Sequence, residues 1–179
     1  AGRLRKMGYN ALRFHHHEST LVEKMGDPAA VTLNPESMRR FDGLVAACVE
    51  NGIYMTTDLY VSRRPIAWRA IGVDRDGTLT MGDAKAWLLV HAGMQSNLFA
   101  FVRNWFGHVN AFTGRRLADE PALAWVSLVN EAAQGSNLDD LARQEPWVAA
   151  WRTWLAAKKA SDPAFYGEID EAFPATLNG

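Results

Sequence analysis

The sequence predicts an α/β fold built on a parallel sheet, and three observations carry that prediction. Strand-like and helix-like segments alternate strictly along the chain, which points to strands joined by helical crossovers. The third strand-like segment, Ala122 to Val129, is nearly all apolar, as expected of a strand covered on both sides. That same run stops abruptly on an amide and a carboxylate, Asn130-Glu131. A doubly wound sheet and part of a closed (β/α)8 barrel both satisfy the alternation. A complete barrel takes about 250 residues, whereas this chain has 179 and supplies three strand signals.

The elements follow from local signals. The opening Ala-Gly-Arg-Leu-Arg-Lys-Met-Gly8 reads as the end of a helix. Tyr9 to His17 is strand-like, with Ala11, Arg13 and His15 on one side and Leu12 and Phe14 on the other. Asn34-Pro35 supplies an N-cap and a proline at the first helical position, Met38, Phe41, Val45 and Cys48 repeat at helical spacing, and Asn51-Gly52 ends that helix. Ile53 to Tyr60 is the second strand. Val61 to Gly82 reads as loop, with a turn at Asp74-Arg-Asp-Gly77. Asp83 is placed to cap one long helix bearing Trp87, Val90, Met94, Leu98, Phe101, Val102 and Trp105. After the third strand a last helix spans about Asp140 to Lys159, with Trp147, Val148, Trp151, Trp154 and Leu155 facing inward.

Composition narrows the function classes. The chain is 48% hydrophobic and 22% charged with a formal net charge of -1. That balance offers no electrostatic footprint for nucleic acid or an anionic membrane. No apolar run approaches the roughly 18 residues of a membrane span, and no signal peptide is visible. The single cysteine, Cys48, reads as a buried structural thiol. Neither G-x-G-x-x-G nor G-x-x-x-x-G-K-[ST] follows any strand, which lowers nucleotide-binding readings. Most of the seven tryptophans read as core. Trp68 falls in a polar loop, where an indole serves equally as a platform for a sugar ring or as a loop anchor.

The chemistry-bearing residues gather at strand ends: Arg13 and His15-His16-His17-Glu18 on the first, Asp58 and Tyr60 on the second, Asn130 and Glu131 on the third. An acid at a strand end can be held half-desolvated and protonated near neutral pH, as a general acid requires. Arg13 on an inward face demands a carboxylate partner, and the inward positions of the strands offer no obvious one. The three histidines invite a zinc hypothesis, but alternation along a strand keeps three consecutive residues from reaching one ion, so no metal is expected. His17 and Glu18 read as solvated loop residues.

These residues resemble the clan A glycoside hydrolases, most closely family 5, the group of cellulases and β-mannanases. The likeness rests on Gly8-Tyr-Asn10-Ala-Leu-Arg13, matching a G-x-N-x-x-R strand, and on Asn130-Glu131 at the end of a strand. It rests also on the approach Val109-Asn110-Ala-Phe-Thr113-Gly114 with Asp119-Glu120-Pro121-Ala-Leu-Ala-Trp125. It covers about residues 1 to 159. Asp58-Leu59-Tyr60 stands where family 5 often has a histidine, and Ser127 and Ala132 depart from the mannanase pattern.

The resemblance implies a (β/α)8 barrel of which about half is present, strands 2 to 4 with their helices, in one partial catalytic domain over residues 1–179. It implies a retaining glycoside hydrolase acting on β-linked polysaccharide or oligosaccharide, with two carboxyl groups about 5–5.5 Å apart. Glu131 would be the general acid/base, and the nucleophile, a second glutamate on strand 7, lies outside these residues. Asn130 would bond the sugar 2-hydroxyl, Arg13 would orient the nucleophile, and His15, His16 and Tyr60 would line the sugar subsite. No cofactor is implied. The remainder of the barrel is the partner needed to complete the fold, and an extracellular or periplasmic location is implied for a polysaccharide substrate. Two other functions compete: a carbohydrate-binding pseudoenzyme on the same barrel, and a metal-dependent barrel hydrolase using the histidines.

Overall fold

The computed structural model describes residues 1–132 and 138–174. A short helix α1 (Gly2–Lys6) leads into strand β1 (Ala11–Phe14), a one-turn helix α2 (Glu18–Leu21) and helix α3 (Pro35–Glu50). Strand β2 (Tyr54–Asp58) follows, then a 3₁₀ turn (Trp68–Ile71) and helices α4 (Met81–Val90) and α5 (Ala92–Gly107). A second 3₁₀ turn (Leu117–Asp119) precedes strand β3 (Leu123–Ser127), and helices α6 (Leu138–Leu141), α7 (Glu145–Ser161) and α8 (Pro163–Tyr166) close the described chain.

The strands form one parallel sheet in the order β1-β2-β3. Sequential order without reversal is the arrangement of a barrel wall; a doubly wound sheet reverses its order and carries helices on both faces. Here the helices cover the face that carries Phe14, which packs edge-on to Phe41 of α3 at 5.3 Å, and Trp105 of α5 packs on Phe41 at 5.8 Å. The opposite face carries Arg13, Thr56 and Trp125 in register. Among the described residues that face is open at Tyr54 and Trp125, 56% and 52% exposed, while Thr56 and Asp58 between and beyond them are buried. The expected two-sided burial of the third strand is therefore corrected. β3 lies at a sheet edge and contains no fully buried residue.

Helix α3 forms as its sequence directs. Asn34 Oδ1 accepts from Ser37 N at 2.9 Å, Pro35 occupies the first turn, and Met38, Phe41, Val45 and Cys48 are buried. Burial raises the Cys48 thiol pKa, in keeping with an inert core thiol.

The long helix expected after Gly82 is instead two. Thr80, not Asp83, is the N-cap of α4, and Asp83 is its reciprocal partner in a capping box. The chain leaves helical geometry at His91 (φ −109°, ψ 115°), whose Nδ1 accepts from Met94 N and caps α5. Packing imposes the break: the first turn of α5 lies so close to the 3₁₀ turn that a Cβ on Gly93 would sit 2.0 Å from the Ile71 carbonyl oxygen. The last helix is also divided. Glu145-Pro146 restarts it as α7, and of its expected inward residues only Leu155 is fully buried.

Two of the buried charged residues, Arg63 and Glu18, brace the loops beside the sheet. Arg63 is fully buried, donating Nη1 to the Ala29 and Ala30 carbonyls and Nη2 to Asn97 Oδ1, with Phe101 beneath its guanidinium at 4.6 Å. Glu18, expected in solvent, is fully buried and accepts from the amides of Val61 and Ser62. Together they fix the loop leaving β2 against the loop that follows β1.

Candidate active site

Arg13, Asp58 and Asn130 meet at the C-terminal ends of the three strands, on the open face of the sheet. Arg13 donates Nε and Nη2 to the two Asp58 oxygens at 3.2 and 2.7 Å, and Nη2 also donates to Asn130 Oδ1 at 2.8 Å. Asp58 is thus the carboxylate that Arg13 requires, which corrects the reading that the strands supply none. Register explains the pairing: Arg13 aligns with Thr56, and Asp58, two residues on, projects from the same face. Burial by itself would raise the Asp58 pKa, but hydrogen bonds from Arg13 and His15 outweigh it and hold the carboxyl below its ordinary range. The same ion pair raises the Arg13 pKa.

His15 places Nδ1 2.9 Å from Asp58 Oδ2, leaving the far edge of its ring toward solvent. His16 places Nδ1 3.1 Å from Ser62 Oγ. Its backbone has turned into the left-handed region (φ 56°), so strand alternation lapses there and the two rings stand 4.3 Å apart on one side of the site. The alternation argument therefore fails for this pair. Among the described residues no three His, Cys, Asp or Glu side chains are grouped to hold a metal. His17 is not a solvated loop residue either: its ring stacks on Phe41 at 5.6 Å and tilts against Trp105 at 4.9 Å.

Asn130 and Glu131 lie in the turn beyond β3 rather than at its last residue. Asn130 is buried, tied to the loop leaving β2 by donation from its backbone amide to the Tyr60 carbonyl at 3.0 Å, and its Nδ2, also buried, has no partner among the described residues. Glu131 adopts φ 52°, a conformation uncommon for a residue with a side chain and one that concentrates at functional sites. The expected half-desolvated acid is not what the described residues form: the Glu131 side chain is 81% exposed. The cation nearest to it, Lys85 Nζ of α4, is 3.6 Å from Oε2 and almost buried.

Two expected site residues lie elsewhere. Tyr60 is fully buried with its hydroxyl bonded to the Arg63 carbonyl, and burial raises its pKa, so its phenol faces the core rather than a sugar subsite. Trp68 is 3% exposed, edge-on to Trp87 at 4.9 Å and covered by Arg75 at 4.5 Å. It is the loop anchor, not the platform, because the loop folds back over it as a 3₁₀ turn. The approach motif is structural in the same way. Asn110 Oδ1 caps the amides of Phe112 and Thr113, its Nδ2 donates to the Asp42 carbonyl, and Glu120 accepts from Ala122 N at the entry to β3.

Sequence reasoning missed the roles of Asp58 and Lys85. Strand parity pointed to the first, an acid at a strand end beside an unpartnered arginine. For the second the only signal was one lysine among the apolar residues of α4.

No protein-family model matches the chain, and no curated protein matches it. Among solved structures it is similar to the endo-beta-1,4-mannanase from Thermotoga petrophila, with 19% identity and a TM-score of 0.47. The similarity covers 89% of this chain and 36% of that one, so the chain spans about a third of the mannanase's length.

Proposed function

We propose that residues 1–179 are part of the catalytic barrel of a retaining glycoside hydrolase of clan A, resembling family 5, that cleaves β-linked polysaccharide or oligosaccharide outside the cytoplasm. The observation that carries this reading is the junction of Asn130-Glu131 with Arg13 across three parallel strand ends, sealed by the 2.8 Å Arg13–Asn130 hydrogen bond. Glu131 is the general acid/base: it protonates the departing glycosidic oxygen, then takes a proton from the water that releases the sugar. The nucleophile is a carboxylate supplied by the remainder of the barrel, facing the open side of the sheet. A bound sugar and the rest of the wall would displace the water that now surrounds Glu131.

Asn130, whose Nδ2 is buried and without a partner among the described residues, is the residue assigned to the sugar 2-hydroxyl, and Arg13 Nη1 is the donor left for the nucleophile. His15 and His16 border the subsite; Tyr60 and Trp68 have no part in it. Glu131→Gln in the protein with its complete barrel should lower turnover of β-linked oligosaccharide by about 10²- to 10⁴-fold while sparing binding. Unchanged turnover would remove Glu131 from the mechanism. A wild-type protein that binds the oligosaccharide and never cleaves it would be the carbohydrate-binding relative instead.

A further inference from the structure

We propose that Asp58 is a positioning residue that presents Arg13 and His15 together to the bound sugar and, through Arg13, sets the side chain of Asn130. This rests on the glycoside hydrolase reading of the site. Asp58 is fully buried, and its two oxygens are taken up by three donors from β1 and its C-terminal end: Oδ1 by Arg13 Nη2, Oδ2 by Arg13 Nε and by His15 Nδ1.

Each contact removes a freedom that matters at a sugar site. The two-point contact fixes the plane of a guanidinium that is otherwise 43% exposed and free to swing. With that plane fixed, the remaining Nη2 hydrogen falls on Asn130 Oδ1, which orients the Asn130 amide so that its buried Nδ2 is the end without a partner among the described residues. A carboxylate facing Nδ1 accepts only from a protonated nitrogen, so the neutral His15 ring carries its proton there and offers Nε2 as an acceptor. A sugar hydroxyl then meets a fixed acceptor on His15 beside a fixed donor on Arg13, with the Asn130 amide held in one orientation. Neither a lysine at 13 nor an asparagine at 58 can reproduce this set, because the first lacks the planar fork and the second the acceptor pair.

The test is a double-mutant cycle in the complete protein, with hydrolysis of a β-linked oligosaccharide as one readout. Asp58→Asn and Arg13→Lys should each lower kcat/KM on the order of tenfold to a hundredfold, chiefly in kcat. The double variant should lose no more than the worse single one. Formate should restore part of the activity of Asp58→Ala. Losses that multiply in the double variant, or that fall wholly on thermal stability, would overturn the proposal.

A second readout needs no turnover. Imidazole ¹⁵N shifts should place the His15 proton on Nδ1 in the wild type and move it toward Nε2 in Asp58→Asn. An unchanged tautomer would contradict the positioning role. A wild-type protein that hydrolyses no β-glycoside but shows the tautomer switch would refute the enzyme and keep the Asp58 arrangement.

Discussion

His17 shows how a single residue couples this fold to pH. Burial among Phe41, Phe14 and Trp105 is the largest influence on it and lowers its pKa to about 4, against the opposing pull of Asp58. A histidine whose folded pKa lies below its unfolded value of about 6.5 stabilises the fold fully above pH 6.5. As pH falls, the unfolded chain gains a proton that the folded one refuses, so stability declines between about 6.5 and 4 and levels off below. The contribution at stake is roughly 3 kcal/mol. His17→Phe keeps the aromatic packing and should flatten denaturant midpoints across that window; midpoints that still fall equally steeply would locate the titration elsewhere. At this scale the sequence was informative about residue type but not about environment. The motifs singled out Arg13 and Asn130, which the structure joins by a hydrogen bond. Glu18, His17, Tyr60 and Trp68 were misplaced because burial of a loop residue depends on what folds over it, and no local periodicity records that.

Among the elements, the cap and apolar stripe of α3 were fully legible, since each signal acts within a few residues. The break between α4 and α5 was not. Its cause is a contact between Gly93 and the Ile71 backbone, separated in sequence by a loop and all of α4, while the apolar stripe runs on through both helices. Gly93→Ala should cost about 1–3 kcal/mol, because the added methyl meets a carbonyl oxygen that can yield only by moving the 3₁₀ turn. Circular dichroism melts of the variant check this, and a wild-type melting temperature would mean that the two elements are not held together there. The third strand was read one layer too deep. Its apolar composition describes a strand covered on both sides, whereas among the described residues β3 is an edge with Trp125 open to solvent.

For the molecule as a whole, alternation alone left a doubly wound sheet and a barrel wall equally open. Sequential strand order with helices packed on the Phe14 face is the arrangement of a barrel wall. The open face carries the Arg13–Asp58–Asn130 network at one end and the exposed Tyr54 and Trp125 along its length, so the polar site and the exposed aromatic surface are continuous. Under the proposed function, that continuity accounts for the exposure of Glu131, and the partner carboxylate would come from across the barrel.

The central claim, Glu131 as acid/base of a retaining mechanism, is tested most directly with Glu131→Ala, a β-glycoside bearing a dinitrophenolate leaving group, and azide. Such a leaving group departs without protonation, so the glycosyl intermediate should form, and azide, needing no general base, should release it as a β-glycosyl azide. Accumulation of that product with a rate rising with azide is the predicted result. Turnover indifferent to azide, with no glycosyl azide formed, would contradict the account.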